Sequence, residues 1–240
     1  MNLTAKEISR RLRKMGDKED ARFLQGFFKT GPGQYGEGDF FLGIRVPAVR
    51  RLVRKSGDLP FKEALSLLKS PYHEERLFAL IFLVDTFSRG DQETQKAIYD
   101  LYLANTRYIN NWDLVDVSAP KIIGAYLFER STKPLYRLAK SKSLWERRIA
   151  TLATFYFIKY NRYEDSLKIA EILLKDKEDL IHKATGWMLR EIGKRDVQVA
   201  ELFLQRHCRT MPRTMLRYAI ERFSPSKRKT YLRPAKTLID

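Results

Sequence analysis

Two residues in the middle of the chain have types and a spacing that suit chemistry. Trp112 and Asp116 stand four apart in the stretch Asn110-Asn111-Trp112-Asp113-Leu114-Val115-Asp116. On a helix that spacing stacks the indole and the carboxylate on one face, one turn apart. Indole faces and carboxylates both attract cations, so the pair suits a cationic ligand or a centre that gains positive charge as it reacts. From this stretch alone, a plain capping or salt-bridging acid is the simpler account of Asp116, because the chain supplies many basic partners. Asn111 is a good N-cap, and Asp113 in the first turn is favoured by the helix dipole, so a helix is expected to begin at Trp112.

The elements that would carry these residues are helices throughout. Amphipathic segments are predicted at 3–15, 19–29, from Pro47, and then at 60–69, 73–88, 91–105, 112–128, 132–140, 144–160, 163–174, 178–194, 197–206, 210–222 and 225–232. No strand-like alternation bounded by hairpin turns interrupts them. Arg76, Trp112, Arg148 and Lys183 fall at spacings of 36, 36 and 35 residues, each near the start of a helix. A period of that length in paired helices predicts an all-α fold, an α-solenoid of HEAT-like repeats. The whole chain, 1–240, reads as one such domain: N-terminal helices and a Gly-rich loop to about residue 60, then paired-helix repeats with a basic C-terminal cap. Repeat equivalence would line Arg76, Trp112, Arg148 and Lys183 along one concave basic groove, with Asp116 and Trp187 one turn further along. The stretch 30–43 carries five Gly and one Pro and is the longest piece without a predicted element. It lacks the spacing of a phosphate loop.

Composition narrows the partner. Forty-six Lys and Arg against 29 Asp and Glu give a formal charge of +17, which points to a polyanion, nucleic acid before an anionic membrane surface. Residues 206–236 hold ten Lys or Arg, among them Arg213, Arg217 and Lys236, against the single acid Glu221, with Tyr218, Phe223 and Tyr231 interleaved. Arg50, Arg51, Arg54 and Lys55 follow Pro47 on a helix. Such mixtures suit phosphate contact, although a solvated helix face or cap has the same composition. No apolar run approaches the ~20 residues that span a bilayer, and Met1-Asn2-Leu3-Thr4 opens no apolar signal core. One cysteine, Cys208, and three scattered histidines offer no disulfide, no metal-ligand spacing and no evident Cys–His nucleophile. A cytoplasmic, nucleoid-associated protein without metal or cofactor, acting as a monomer, is expected.

Several motifs resemble, in register over nearly the whole chain, those of the AlkD-like DNA alkylation repair family. They are Phe41-Leu42-Gly43-Ile44-Arg45-Val46-Pro47 with Arg50-Arg51; Asn111 to Asp116 with Ala119-Pro120; Leu144 to Arg148; Lys183 to Glu191; and Met211 to Ile220. The chain departs from the family pattern at Arg45 and Val46, where that pattern has Gln and Thr. The resemblance implies a HEAT-like DNA glycosylase that hydrolyses the N-glycosidic bond of alkylated, positively charged purines, N3-methyladenine and N7-methylguanine, in duplex DNA. By that resemblance Asp116 is the catalytic carboxylate, Trp112 and Trp187 pack against the lesion-bearing nucleotide, and Arg148 is the basic residue beside them. Arg51, Arg190 and Lys194 match DNA-facing positions, and Arg45, Arg76, Lys183, Arg213 and Arg217 join them as expected DNA contacts. The family also implies that the lesion stays stacked in the duplex. No lysine is placed as a Schiff-base nucleophile, so monofunctional chemistry is expected. The competing expectation is a HEAT-repeat protein that binds DNA structure without catalysis; a helical scaffold for an acidic protein fits the charge but gives the Trp–Asp pair no purpose.

Overall fold

The helix boundaries follow from capping side chains. In a computed structural model that describes residues 3–233, Thr4 accepts the amide of Glu7 at the head of α1 (Ala5–Met15), and Asp17 accepts those of Glu19 and Asp20 at the head of α2 (Lys18–Phe27). Each side-chain oxygen satisfies amides that the first turn leaves without a partner. Lys236 of the basic tail and the first two residues lie outside the described range. The chain is all-helical and of the α-solenoid class, and it divides into two compact units, Met1–Ile122 and Ile123–Asp240. Among the described residues the nearest approach to a strand is one isolated bridge, Phe40 to Tyr72.

In the first unit α3 (Val46–Lys55), α4 (Phe61–Leu68), α5 (His73–Arg89), α6 (Gln92–Ala104) and α7 (Trp112–Ser118) follow α1 and α2. The axis of this unit is α5, which packs against α1, α3, α4, α6 and α7. It is buried without a break from His73 to Leu83, as expected of a helix with neighbours on every side. Its interior Leu77, Phe78, Leu80 and Leu83 are all but inaccessible, and each such side chain contributes about 1.5–3 kcal/mol by leaving water.

The second unit contains α8 (Ala125–Leu127), α9 (Lys133–Ala139), α10 (Leu144–Lys159), α11 (Glu164–Ile172), α12 (Asp179–Gly193), α13 (Val197–His207), α14 (Arg213–Ala219) and α15 (Pro225–Leu232). Here α10 packs on α9, α11 and α12, and α12 packs on α10, α13 and α14. The first helix of each pair therefore forms the spine. Gly186 allows α12 and α14 to approach closely: a Cβ there would lie 2.4 Å from the Met215 carbonyl oxygen and 2.6 Å from Cβ of Tyr218.

One expected element is broken. The stretch 112–128 is not a single helix. It runs as α7, a π-helical turn over Pro120–Gly124, and α8. Pro120 lacks the amide that an α-helical ladder needs at that point, and the widened turn absorbs the loss. Gly124 then packs directly on α10, where a Cβ would meet the Ala153 carbonyl oxygen at 2.2 Å.

Candidate active site

Trp112 opens α7 and Asp116 follows one turn later; both are partly exposed. Asn111 caps the helix, its side-chain oxygen accepting the Trp112 amide at 2.8 Å. Ser118 donates back to the Leu114 carbonyl at 2.6 Å, so the buried Tyr102 hydroxyl on α6 donates to Ser118 Oγ at 2.9 Å. Burial raises the pKa of that phenol, and the nearby Asp116 carboxylate adds to the rise.

The Trp112 indole is held on several sides. It stacks on Phe28 with ring centroids 5.1 Å apart and planes at 25°, and it meets the edge of Phe27 at 6.0 Å. Its Nε1–H donates to the Tyr35 hydroxyl at 3.3 Å, so the stretch 30–43 supplies a support for the indole. That stretch has no helix but is firmly anchored. Phe40 N–H donates to the Pro71 carbonyl, His73 N–H donates to the Phe40 carbonyl, and Glu74 accepts the amides of Leu42, Gly43 and Ile44 at 2.8–3.0 Å.

Beneath Trp112 lies a buried ionic cluster. His73 is 2% exposed; its Nδ1 is 3.1 Å from Asp39 and its Nε2 is 2.8 Å from Asp113. The second Asp39 oxygen receives Arg76 at 2.5 Å, and Asn111 donates to Asp39 at 3.3 Å. Burial works against a charged imidazole, but the Asp113 charge and the hydrogen bonds to Asp113 and Asp39 outweigh it and push the His73 pKa up to about 9. Burial likewise works to raise the Asp39 pKa, yet His73, Arg76 and Asn111 hold it below the ordinary value.

In the second unit Arg148 is the fifth residue of α10 and is 5% exposed, with Nη1 donating to the Leu180 carbonyl at 2.7 Å. Trp187 on α12 lies 5.9 Å from the ring of Phe155 on α10. The Trp187 Nε1–H donates to Glu191 at 3.1 Å. Burial acts to raise the Glu191 pKa, but Lys194 and the Trp187 indole outweigh it and the value is lowered. The Trp187–Glu191 pair repeats the four-residue Trp–acid spacing of Trp112 and Asp116, a signal that the sequence carries.

The residues expected to contact DNA differ widely in setting. Arg51 and Arg217 are exposed. Arg45 is exposed but pairs with Asp20 at 2.5 Å, and Arg213 donates to the Leu232 carbonyl at 2.9 Å. Lys183 pairs with Asp179 at 2.7 Å, Lys194 with Glu191 at 2.6 Å, and Arg190 with Glu221. Arg76 departs from the expectation, being 4% exposed and spent on Asp39 and the Ser70 carbonyl. Its place near a helix start suggested a surface cation; in the structure the 30–43 stretch covers it and supplies its counter-ion. The helix register differs too. Asp116, Arg148, Lys183 and Arg217 are each the fifth residue of their helix, whereas Trp112 is the first of its own, so Asp116 takes the position that the periodic spacing had given to Trp112.

A family model for DNA alkylation repair enzymes matches residues 8–223. The chain belongs to this family of DNA alkylation repair enzymes. The family supports a role for this member in DNA repair, as an enzyme with DNA for its substrate. Among solved structures, that of a predicted DNA alkylation repair enzyme from Enterococcus faecalis is similar at 17% identity, with a TM-score of 0.67, covering 88% of this chain and 98% of the other. At that identity the likeness speaks to fold. A search of curated proteins gives no match.

Proposed function

We propose that this family member is a monofunctional DNA glycosylase that releases N3-methyladenine and N7-methylguanine from duplex DNA. The observation that carries the reading is the Trp112–Asp116 pair on one turn of α7, a helix whose start is held by a buried ionic cluster. Alkylation at N3 or N7 makes the purine cationic, so when the C1′–N9 bond breaks, the electron pair moves to N9 and the base leaves neutral. A general acid is then dispensable. The deoxyribose gains oxocarbenium character at C1′, which the Asp116 carboxylate stabilises while accepting a proton from the attacking water. The indoles of Trp112 and Trp187 attract the cationic nucleotide, each contact being of order 0.5–2 kcal/mol. Arg148, almost fully buried, supplies positive charge beside a phosphate near the lesion, and the exposed cations bind the backbone as a sequence-independent grip. The lesion stays stacked, and selectivity follows chemical lability. The protein acts as a monomer in the cytoplasm.

The test is release of free base from duplex DNA containing N7-methylguanine, by wild type and by Asp116→Asn. Release by wild type, with a loss of about 10²–10⁴-fold in the variant and DNA affinity kept, is expected. No release by wild type would leave a protein that binds DNA structure without catalysis; equal release by both would place the carboxylate elsewhere.

A further inference from the structure

We propose that His73 is the positioning residue of this site: it closes a ring of contacts that fixes both the indole of Trp112 and the first turn of α7. The functional consequence rests on the proposed glycosylase reading; the geometry does not. Trp112 stacks on Phe28, Phe28 stacks on Phe41 at 5.0 Å and 15°, and Phe41 stacks on His73 at 4.4 Å and 19°. From His73 the path returns to α7 through Nε2 and Asp113, the residue next to Trp112. The opposite nitrogen, Nδ1, faces Asp39, which also receives Asn111, the cap of α7. One imidazole therefore anchors the helix backbone on one side and the aromatic support of the indole on the other.

The ring requires a charged imidazole. Asp39 is held ionised by Arg76, so it can only accept, and Nδ1 must donate to it. Asp113 Oδ1 accepts the Leu114 amide at 2.8 Å and its Oδ2 faces Nε2, which suits a carboxylate that accepts at both oxygens. A neutral imidazole can donate from only one nitrogen. Two carboxylates against His73 and Arg76 make the cluster neutral, so loss of the His73 proton leaves a buried negative charge without compensation. The remaining acids at this end of α5 are committed elsewhere: Glu74 to the amides of residues 42–44, and Glu75 to Ser9 and Arg13 of α1. Deprotonation is thus expected to loosen Trp112 and the α7 start together.

Nitrogen-detected NMR of the histidine rings in the full chain tests this, with His73→Gln assigning the signal. In wild type both His73 nitrogens should carry protons at pH 7.5 and titrate near pH 9, and the Trp112 Nε1–H resonance should move with the same midpoint. Asp39→Asn, which keeps the ring, should lower both midpoints together. Base release, corrected for enzyme-free loss at each pH, should fall through that midpoint, and in His73→Gln it should be about 10²-fold lower with the high-pH limb gone, the cost of slight misplacement. A His73 midpoint near 6.5, or a Trp112 resonance indifferent to that titration, would overturn the proposal. If wild type releases no base, the glycosylase reading fails, while the linked titration still decides the positioning role.

Discussion

At the scale of single residues, burial separates cations that share a charge. Arg76→Ala would leave Asp39, itself 3% exposed, without its guanidinium, and such a cut through a buried pair costs about 3–5 kcal/mol. Chemical denaturation should report that loss, whereas Arg51→Ala should leave stability nearly unchanged. Stability should also depend on pH through His73. Its folded value lies above the ordinary 6.5, so its contribution is complete below pH 6.5 and is lost as pH rises toward 9; thermal unfolding across that window should show a falling midpoint. Of this residue-scale picture the sequence made legible only what is local. The Trp112–Asp116 spacing is a one-turn relation, visible without the fold. Asp39 and His73 stand 34 residues apart and His73 and Asp113 stand 40 apart, so no periodicity links them and His73 passed as one of three scattered histidines.

At the scale of elements, the first helices of the pairs are legible because each must bury itself against its neighbours, and that demand writes apolar positions directly into sequence, although their starts at residues 73, 112, 144, 179 and 213 follow the 35-residue rhythm only loosely. Close backbone approach leaves a fainter mark, a lone glycine. Gly186→Ala should force α12 and α14 apart and cost about 1–3 kcal/mol, measured by denaturation, with Gly193→Ala, whose Cβ would meet the side chains of Ala200 at 3.3 Å and Phe223 at 3.8 Å and no backbone, as the milder control. The π-helical turn after α7 was harder to foresee. Pro120 signals an irregularity, but either a kink or a widened turn would accommodate it. The anchoring of 30–43 was invisible for a different reason: Glu74 holds it from 30 or more residues away, and glycine content alone says nothing about such a partner.

At the scale of the whole molecule, a charge of +17 makes salt the main control on the proposed DNA binding. Affinity measured by fluorescence anisotropy should fall linearly on a double-logarithmic salt axis, with a slope near 0.9 per phosphate contact. Arg51→Ala and Arg217→Ala should each lower that slope by about one, while Arg76→Ala should not. The ion pairs carried by Arg45, Lys183, Arg190 and Lys194 add a further consequence. Asp20, Asp179, Glu221 and Glu191 sit as resident competitors, each occupying a cation that a phosphate would claim. DNA would then have to displace an acid rather than a free counter-ion at those positions, and the slope should count fewer contacts than there are basic residues. Removing one occupant should tighten binding: Glu221→Gln leaves Arg190 only its longer 3.8 Å pairing with Glu191, turning a protein that partly blocks its own grip into one that holds undamaged DNA for longer.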